Sequence, residues 1–206
     1  MLTTRYKAAF NRAFNVPARL LSRCGISPSV LTFLGLALVL ASCAFLLSTR
    51  QVFVFCWLVT LATLCDAIDG AVARVSHRIT KFGSYLDAIC DRYAEAAVVL
   101  SVAVVTGYWV LSMLVLVGAM VVSYAKARAA LEVSVSNAEW PDLMERTERD
   151  VVYIVGLAAS QLVSWKPLGH DLFWWTLLVL CGLIHATAIQ RILRARRFIR
   201  ARGGAA

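Results

Sequence analysis

Charged residues are scarce in this chain of 206 residues: 16% are Asp, Glu, Lys or Arg, whereas 60% are hydrophobic. Soluble domains usually contain roughly a quarter charged residues and about 45 to 50% apolar ones. This composition excludes an ordinary soluble domain, and we expect a membrane protein that forms a single domain over residues 1–206.

Residues that usually build metal or disulfide sites are also few. His77, His170 and His185 lie too far apart in sequence to indicate a metal cluster, and no two of the six cysteines form a C-x-x-C pair. Most of the cysteines lie within apolar stretches, so we interpret them as small buried hydrophobic residues, with no disulfide framework or zinc site. No apolar core with a cleavage site follows the basic start, so we expect no signal peptide.

Five stretches of the chain lack any charge and provide the candidate membrane spans: 24–49, 51–65, 96–125, 151–165 and 172–190. The third stretch is longer than the roughly 20 residues that one spanning helix needs. Thr106, Gly107, Tyr108 and Trp109 offer a turn with interfacial aromatic residues near its middle. This pattern favours two helices and a total of six.

The basic residues support the same number of spans. With six helices and a cytoplasmic N terminus, all of the 21 Lys and Arg residues except Arg50 and Lys166 face the cytoplasm. Five helices would divide them almost evenly between the two sides, so the positive-inside rule favours six. The net charge of +9 then reflects topology rather than nucleic-acid binding. All acidic residues except Asp171 also face the cytoplasm, so we expect the active site on that side.

The predicted architecture is therefore all-α and integral to the cell membrane. Residues 1–22 combine apolar residues at helical spacing with interleaved basic ones, a pattern typical of an interfacial amphipathic helix. Six transmembrane helices follow over 24–190, and a basic cytoplasmic tail occupies 191–206. Both termini are expected in the cytoplasm.

Four carboxylates lie at the cytoplasmic ends of the second and third predicted helices: Asp66, Asp69, Asp87 and Asp91. Each pair is spaced i, i+3 or i, i+4, so each points from one helical face. Ionisable groups at this depth are costly without partners. Two such faces together would form an all-oxygen site suited to two Mg²⁺ or Mn²⁺ ions. The alternative is that these carboxylates only form a solvated network with nearby Arg and Lys residues. The presence of four carboxylates on two matched faces favours the metal site over this alternative.

The spacing of these residues resembles a known family signature. Residues 66 to 91 read D-x2-D-G-x2-A-R-x8-G-x3-D-x3-D, which is similar to the signature of the CDP-alcohol phosphatidyltransferases, six-helix membrane enzymes that usually form homodimers. The resemblance implies that Asp66, Asp69, Asp87 and Asp91 ligate metal and that Asp91 is also the general base. It further implies that a CDP-lipid is bound by five residues: Thr32, Asp69, Gly70, Arg74 and Gly83.

The acceptor must be inferred from a second set of cytoplasmic residues. Lys126, Arg146, Arg149 and Arg191 come from three segments at one predicted depth, and their convergence would form a phosphate-sized pocket. Together with Ser123, this pattern resembles the phosphatidylinositol-phosphate synthase branch and its archaeal counterpart, which uses CDP-archaeol. The resemblance implies transfer from CDP-diacylglycerol or CDP-archaeol to inositol 1-phosphate.

Three alternatives remain open from the sequence. The acceptor is glycerol 3-phosphate in the first, with the same reaction class. The basic residues serve only to set topology in the second. In the third, the chain is a transporter whose aspartates bind a translocated cation, which would place them near the bilayer midplane rather than at one end.

Overall fold

The computed structural model describes residues 28–75, 80–133 and 143–202, and these residues are α-helical with short connections. The helices are α1 (Pro28–Thr49), α2 (Val52–Val75), α3 (Lys81–Thr106), α4 (Trp109–Glu132), α5 (Arg146–Ser160) and α6 (Leu172–Arg202). The side chains of 65–71 and 73–75 are not described, and the predicted amphipathic helix over 1–22 lies outside the described residues. Within the described ranges, the prediction of an all-α fold is confirmed.

The long uncharged stretch 96–125 is divided between two helices, as its turn residues predict. Helix α3 ends at Thr106 and α4 begins at Trp109. Gly107 adopts a φ of 77°, a conformation that residues with a Cβ rarely tolerate. Its N–H still donates to the Ala103 carbonyl at 2.9 Å, so the helical hydrogen bonding ends at this residue.

Several helices extend beyond the uncharged stretches. Helix α2 continues to Val75, α5 begins at Arg146, and α6 runs on to Arg202, well past residue 190. The loss of apolar character marks where a helix would leave a membrane, whereas Ala, Arg and Leu continue to favour helix beyond that point. Both aspartate pairs therefore lie on helical backbone, as their spacing requires.

Three helical segments of the described residues are long and apolar enough to cross a membrane: Ser29–Thr49, Trp109–Glu132 and Leu172–Ala201. Val52–Leu64 is a shorter apolar segment. Helix α3 carries charged residues over its first half, from Lys81 to Glu95, which lowers its apolar character there. Six spans therefore stay a prediction.

The chain forms two compact units, the first of which ends at Ser101. In this unit α1 packs against α2. Leu46 and Phe55 are fully buried, and Cys43 and Cys56 are 6% and 5% exposed. Cys43, Cys56 and Cys90 are buried, which confirms the interpretation of these three as small core residues.

In the second unit, which begins at Val102, α6 packs against both α4 and α5. Glycines allow the close approach of these helices. A Cβ on Gly118 of α4 would lie 2.7 Å from Ile184 Cγ2, and one on Gly156 of α5 would lie 2.4 Å from Thr176 Cγ2. Helix α6 is therefore the central element of this unit.

Aromatic and polar contacts join the starts of α4 and α6. Asp171 accepts the Trp174 N–H at 2.9 Å, and the ring of His170 stacks on Trp174 with centroids 4.1 Å apart. Burial raises the pKa of Tyr108, and the hydrogen bond and negative charge of Asp171 raise it further. His185 lies within 3.2 Å of the Leu114 carbonyl. Two of the three histidines thus have structural contacts, and His77 lies outside the described residues.

Candidate active site

The first aspartate pair lies near the end of α2. Asp66, Asp69, Gly70 and Arg74 all fall within the helical range Val52–Val75, but their side chains lie outside the described part of the structure. Their helical backbone agrees with the i, i+3 spacing on which the sequence prediction depends. Their roles stay a prediction.

The second pair lies in the first half of α3 and is described. Asp87 and Asp91 are both half-buried and are separated by one helical turn. Glu95 follows one turn later and pairs with Arg92, whose Nη1 lies 2.6 Å from the Glu95 Oε2. We call Asp87 and Asp91 the carboxylate face of α3.

The opposite side of α3 is apolar and exposed. Phe82, Tyr85, Ile89 and Tyr93 are 68%, 63%, 38% and 67% exposed. At 3.6 residues per turn, they point away from the carboxylate face. We call these four residues the aromatic stripe.

The donor set fits a hard divalent cation, because Asp87 and Asp91 supply half-buried carboxylate oxygens one turn apart. Among the side chains that the structure describes, no three potential ligands form a group. Asp66 and Asp69 are not among those side chains, so a site that needs all four carboxylates is not tested by this observation.

Two further residues predicted to bind the CDP-lipid, Gly83 and Thr32, have described side-chain surroundings. The Gly83 N–H donates to Thr80 Oγ1 at 2.9 Å, across the start of α3. A Cβ on Gly83 would lie 2.9 Å from that same oxygen, so glycine fits this capping arrangement. Thr32 of α1 is buried, with 6% of its surface exposed.

The predicted acceptor residues lie in the second unit, on α4, α5 and α6. Arg191 is 7% exposed, and its Nη1 donates to the Val122 carbonyl of α4. Ser123 follows Val122 directly, and its Oγ donates to the Ala119 carbonyl at 3.0 Å. Lys126 lies one turn further along α4 and is half-buried. Arg191 therefore lies beside the turn of α4 that carries Ser123.

Helix α5 starts with a capping box. The Glu148 carboxylate accepts the Glu145 N–H at 3.0 Å, so these two acidic residues stabilise the helix start. Arg146 makes a loose contact with Asp150, with 3.6 Å between Nε and Oδ2. Arg149 is 4% exposed, although it is charged.

A contact that sequence reasoning did not assign joins α6 to the start of α5. The Leu143 N–H donates to Gln190 Oε1 at 3.0 Å. Since Gln190 precedes Arg191, the start of α5 and the Val122 turn of α4 meet consecutive residues of α6. The same end of the unit therefore carries four basic residues, which we call the basic cluster: Lys126, Arg146, Arg149 and Arg191.

This arrangement can bind a phosphorylated ligand. Guanidinium groups match the geometry of phosphate oxygens, and burial of Arg149 and Arg191 would make such contacts stronger than those at a surface. The carboxylate face can bind a cation or accept a proton. Each unit thus carries one half of the chemistry that the sequence predicts.

Comparison with protein families gives a direct match. Residues 25–181 match the family described as CDP-alcohol phosphatidyltransferase. This range includes both aspartate pairs and most of the basic cluster.

Individual relatives agree with that match. The chain is 32% identical over 199 residues to the phosphatidylinositol phosphate synthase of Mycobacterium tuberculosis, covering 90% of this chain and 87% of the relative. It is 32% identical over 180 residues to the archaetidylinositol phosphate synthase of Pyrococcus horikoshii, covering 86% and 87%.

Solved structures of the Mycobacterium tuberculosis enzyme are similar in fold. One, with CDP-DAG bound, superimposes with a TM-score of 0.77 at 28% identity and covers 89% of this chain and 94% of that one. Another, in complex with manganese and citrate, has the same TM-score and covers 88% of each chain.

Proposed function

The chain belongs to the CDP-alcohol phosphatidyltransferase family, and we propose that it transfers the phosphatidyl group of a CDP-lipid to inositol 1-phosphate. It is therefore an enzyme that forms a phosphodiester bond. In the proposed reaction, an acceptor hydroxyl oxygen bonds to the lipid phosphorus as the pyrophosphate linkage breaks. CMP leaves, and the lipid inositol phosphate is the product.

Asp66, Asp69, Asp87 and Asp91 are the residues we propose as ligands for two Mg²⁺ or Mn²⁺ ions. A divalent cation bound there would neutralise the pyrophosphate charge and orient the reacting oxygens. The half-buried carboxylates of Asp87 and Asp91, and the manganese in a relative's structure, support this assignment.

Asp91 is the proposed general base. A hydroxyl oxygen must lose its proton as the new bond to phosphorus forms, and a carboxylate within about 3 Å can accept that proton. The position of Asp91 one turn beyond Asp87, on a helical backbone that fixes its direction, supports this role.

The CDP-lipid is proposed to contact Thr32, Asp69, Gly70, Arg74 and Gly83. The CDP-DAG in a relative's structure supports a CDP-diacylglycerol substrate. The archaeal relative and the Mycobacterium tuberculosis relative have the same identity to this chain, 32%. CDP-archaeol is therefore tested in the same assay.

Inositol 1-phosphate is proposed to bind the basic cluster through its phosphate, with Ser123 as a further contact. The burial of Arg149 and Arg191 is the observation that supports a phosphorylated acceptor most strongly. A phosphate bound there would accept charge-assisted hydrogen bonds from guanidinium groups that are shielded from water, whereas an unphosphorylated alcohol would not.

The enzyme is proposed to be a multi-pass protein of the cell membrane with its active site and both termini facing the cytoplasm. The distribution of Lys and Arg supports this orientation. A homodimer is proposed as well, because the exposed aromatic stripe of α3 offers a second copy a continuous apolar surface.

A CMP-release assay with purified protein tests the function. The protein is incubated with CDP-diacylglycerol or CDP-archaeol and with inositol 1-phosphate, glycerol 3-phosphate, inositol or serine, each with and without a chelator. We expect CMP release with inositol 1-phosphate and its loss with the chelator. Release with glycerol 3-phosphate instead would establish the alternative acceptor, and release with free inositol at an equal rate would exclude a role for the phosphate.

A further inference from the structure

Gln190 has no role in the proposed reaction, yet it bonds to a residue 47 positions away. Its Oε1 accepts the Leu143 N–H at 3.0 Å. We propose that Gln190 is a positioning residue, which holds the start of α5 so that Arg146 and Arg149 meet the acceptor phosphate. This inference rests on the proposed function, since it concerns the same basic cluster.

The backbone between Leu143 and Arg149 is constrained at successive residues. Met144 is 6% exposed, and the Glu145 N–H is bound to the Glu148 carboxylate. The Arg149 N–H donates to the Glu145 carbonyl at 3.1 Å, which continues the first helical turn. Because this segment has little slack, a shift of Leu143 moves the first turn of α5 with it.

Helix α6 supplies the fixed reference for this contact. Arg191, the residue after Gln190, is buried and donates to the Val122 carbonyl of α4. Consecutive residues of α6 therefore bind the Val122 turn of α4 and Leu143, just before α5. The relative placement of Ser123 and Lys126 with respect to Arg146 and Arg149 then depends on both contacts.

A purely structural role predicts a different outcome from a positioning role. If Gln190 is only a general anchor, its substitution would lower thermal stability and weaken the binding of both substrates alike. If Gln190 is a positioning residue, its substitution would lower the affinity for the phosphorylated acceptor and leave the affinity for the CDP-lipid unchanged. The ratio of the two KM values separates these cases.

The test compares Gln190→Met with Gln190→Glu in the purified full-length enzyme. Met keeps the length and helix propensity of Gln but lacks the accepting oxygen, whereas Glu retains an oxygen at the same reach. We expect Gln190→Met to raise the KM for inositol 1-phosphate about 3- to 10-fold, the effect of one neutral hydrogen bond. The kcat and the KM for CDP-diacylglycerol should stay within about twofold of the wild type.

At high salt, where the added charge is screened, Gln190→Glu is expected to have the same KM for inositol 1-phosphate as the wild type. Ile189→Ala is the matched control, because the neighbouring Ile189 side chain is 59% exposed. This variant should behave like the wild type.

The outcomes are distinct. An unchanged acceptor KM in Gln190→Met, with a raised KM in Arg149→Ala, would overturn the positioning role and leave the proposed function intact. Equal rises in both KM values with a lower Tm would overturn it in favour of a structural anchor. If the wild type releases no CMP with inositol 1-phosphate, the proposed function fails first, and the positioning role fails with it.

Discussion

Removal of the buried Arg149 guanidinium should weaken acceptor binding selectively. Arg149 lies in the first turn of α5 and is 4% exposed, so a phosphate bound there would be shielded from competing water. The variants Arg149→Ala and Arg149→Lys separate the loss of the charge from the loss of the planar donor geometry.

The expected size follows from a hydrogen bond to a charged group, which contributes about 1.5 to 3 kcal/mol. At about 1.4 kcal/mol per factor of ten, Arg149→Ala should raise the KM for inositol 1-phosphate roughly 10- to 150-fold. Arg149→Lys retains the positive charge but cannot form two parallel bonds to a phosphate. We expect it to fall between the wild type and Arg149→Ala.

CMP release at varied inositol 1-phosphate and saturating CDP-lipid measures this effect. Arg128→Ala is the matched control, since Arg128 carries the same charge on a side chain that is 51% exposed and pairs with Glu132 at 2.6 Å. Thermal unfolding in detergent verifies that each variant is folded. An acceptor KM at the wild-type value in folded Arg149→Ala, or a rise confined to the CDP-lipid KM, would refute the assignment.

Three further predictions address other parts of the molecule. Asp91→Asn should reduce kcat by a factor of about 10² to 10⁴ with CDP-lipid binding retained, and near-normal CMP release would exclude Asp91 as the base. Gly156→Ala should lower the Tm in detergent, because its Cβ would lie 2.4 Å from Thr176 Cγ2 and such overpacking costs about 1 to 3 kcal/mol. Gly182→Ala, with no atom within 4 Å of the added Cβ, is the control and should unfold at the wild-type temperature or higher. Native mass spectrometry should detect a dimer of the 22.6 kDa chain, and Tyr85→Arg combined with Tyr93→Arg should yield monomer; a dimer that survives both changes would exclude the aromatic stripe as its interface.

Local signals in the sequence predict the helices well. The break between α3 and α4 follows from Gly107, whose φ of 77° is a conformation that few other residues adopt. The ends of α2 and α6 do not follow from the edges of the uncharged stretches, because a charged residue marks the edge of an apolar stretch but does not end a helix. No Gly or Pro interrupts the chain between residue 190 and Arg202, and the helix continues through the basic residues.

The contacts that organise the basic cluster are not accessible to the same reasoning. Arg191 meets Val122 across 69 residues, and Leu143 meets Gln190 across 47. Sequence spacing identifies which face of a helix a residue occupies, but it does not specify which turn of another helix lies opposite. The sequence therefore assigns a role to Arg191 but none to Gln190, since a single amide at the end of an apolar stretch has no distinctive pattern.

Burial divides the basic residues, for which the sequence leaves two explanations open, into two groups. A residue that only sets membrane topology needs a charge near the aqueous boundary, and exposure serves that purpose, as at Arg128, Arg196, Arg197 and Arg200. Arg149 and Arg191 are buried, and burial of a guanidinium group costs several kcal/mol unless its interactions compensate. A phosphate that binds beside these two residues would add charge-assisted hydrogen bonds where water is excluded. The proposed acceptor site therefore depends on these two arginines more than on the overall excess of positive charge.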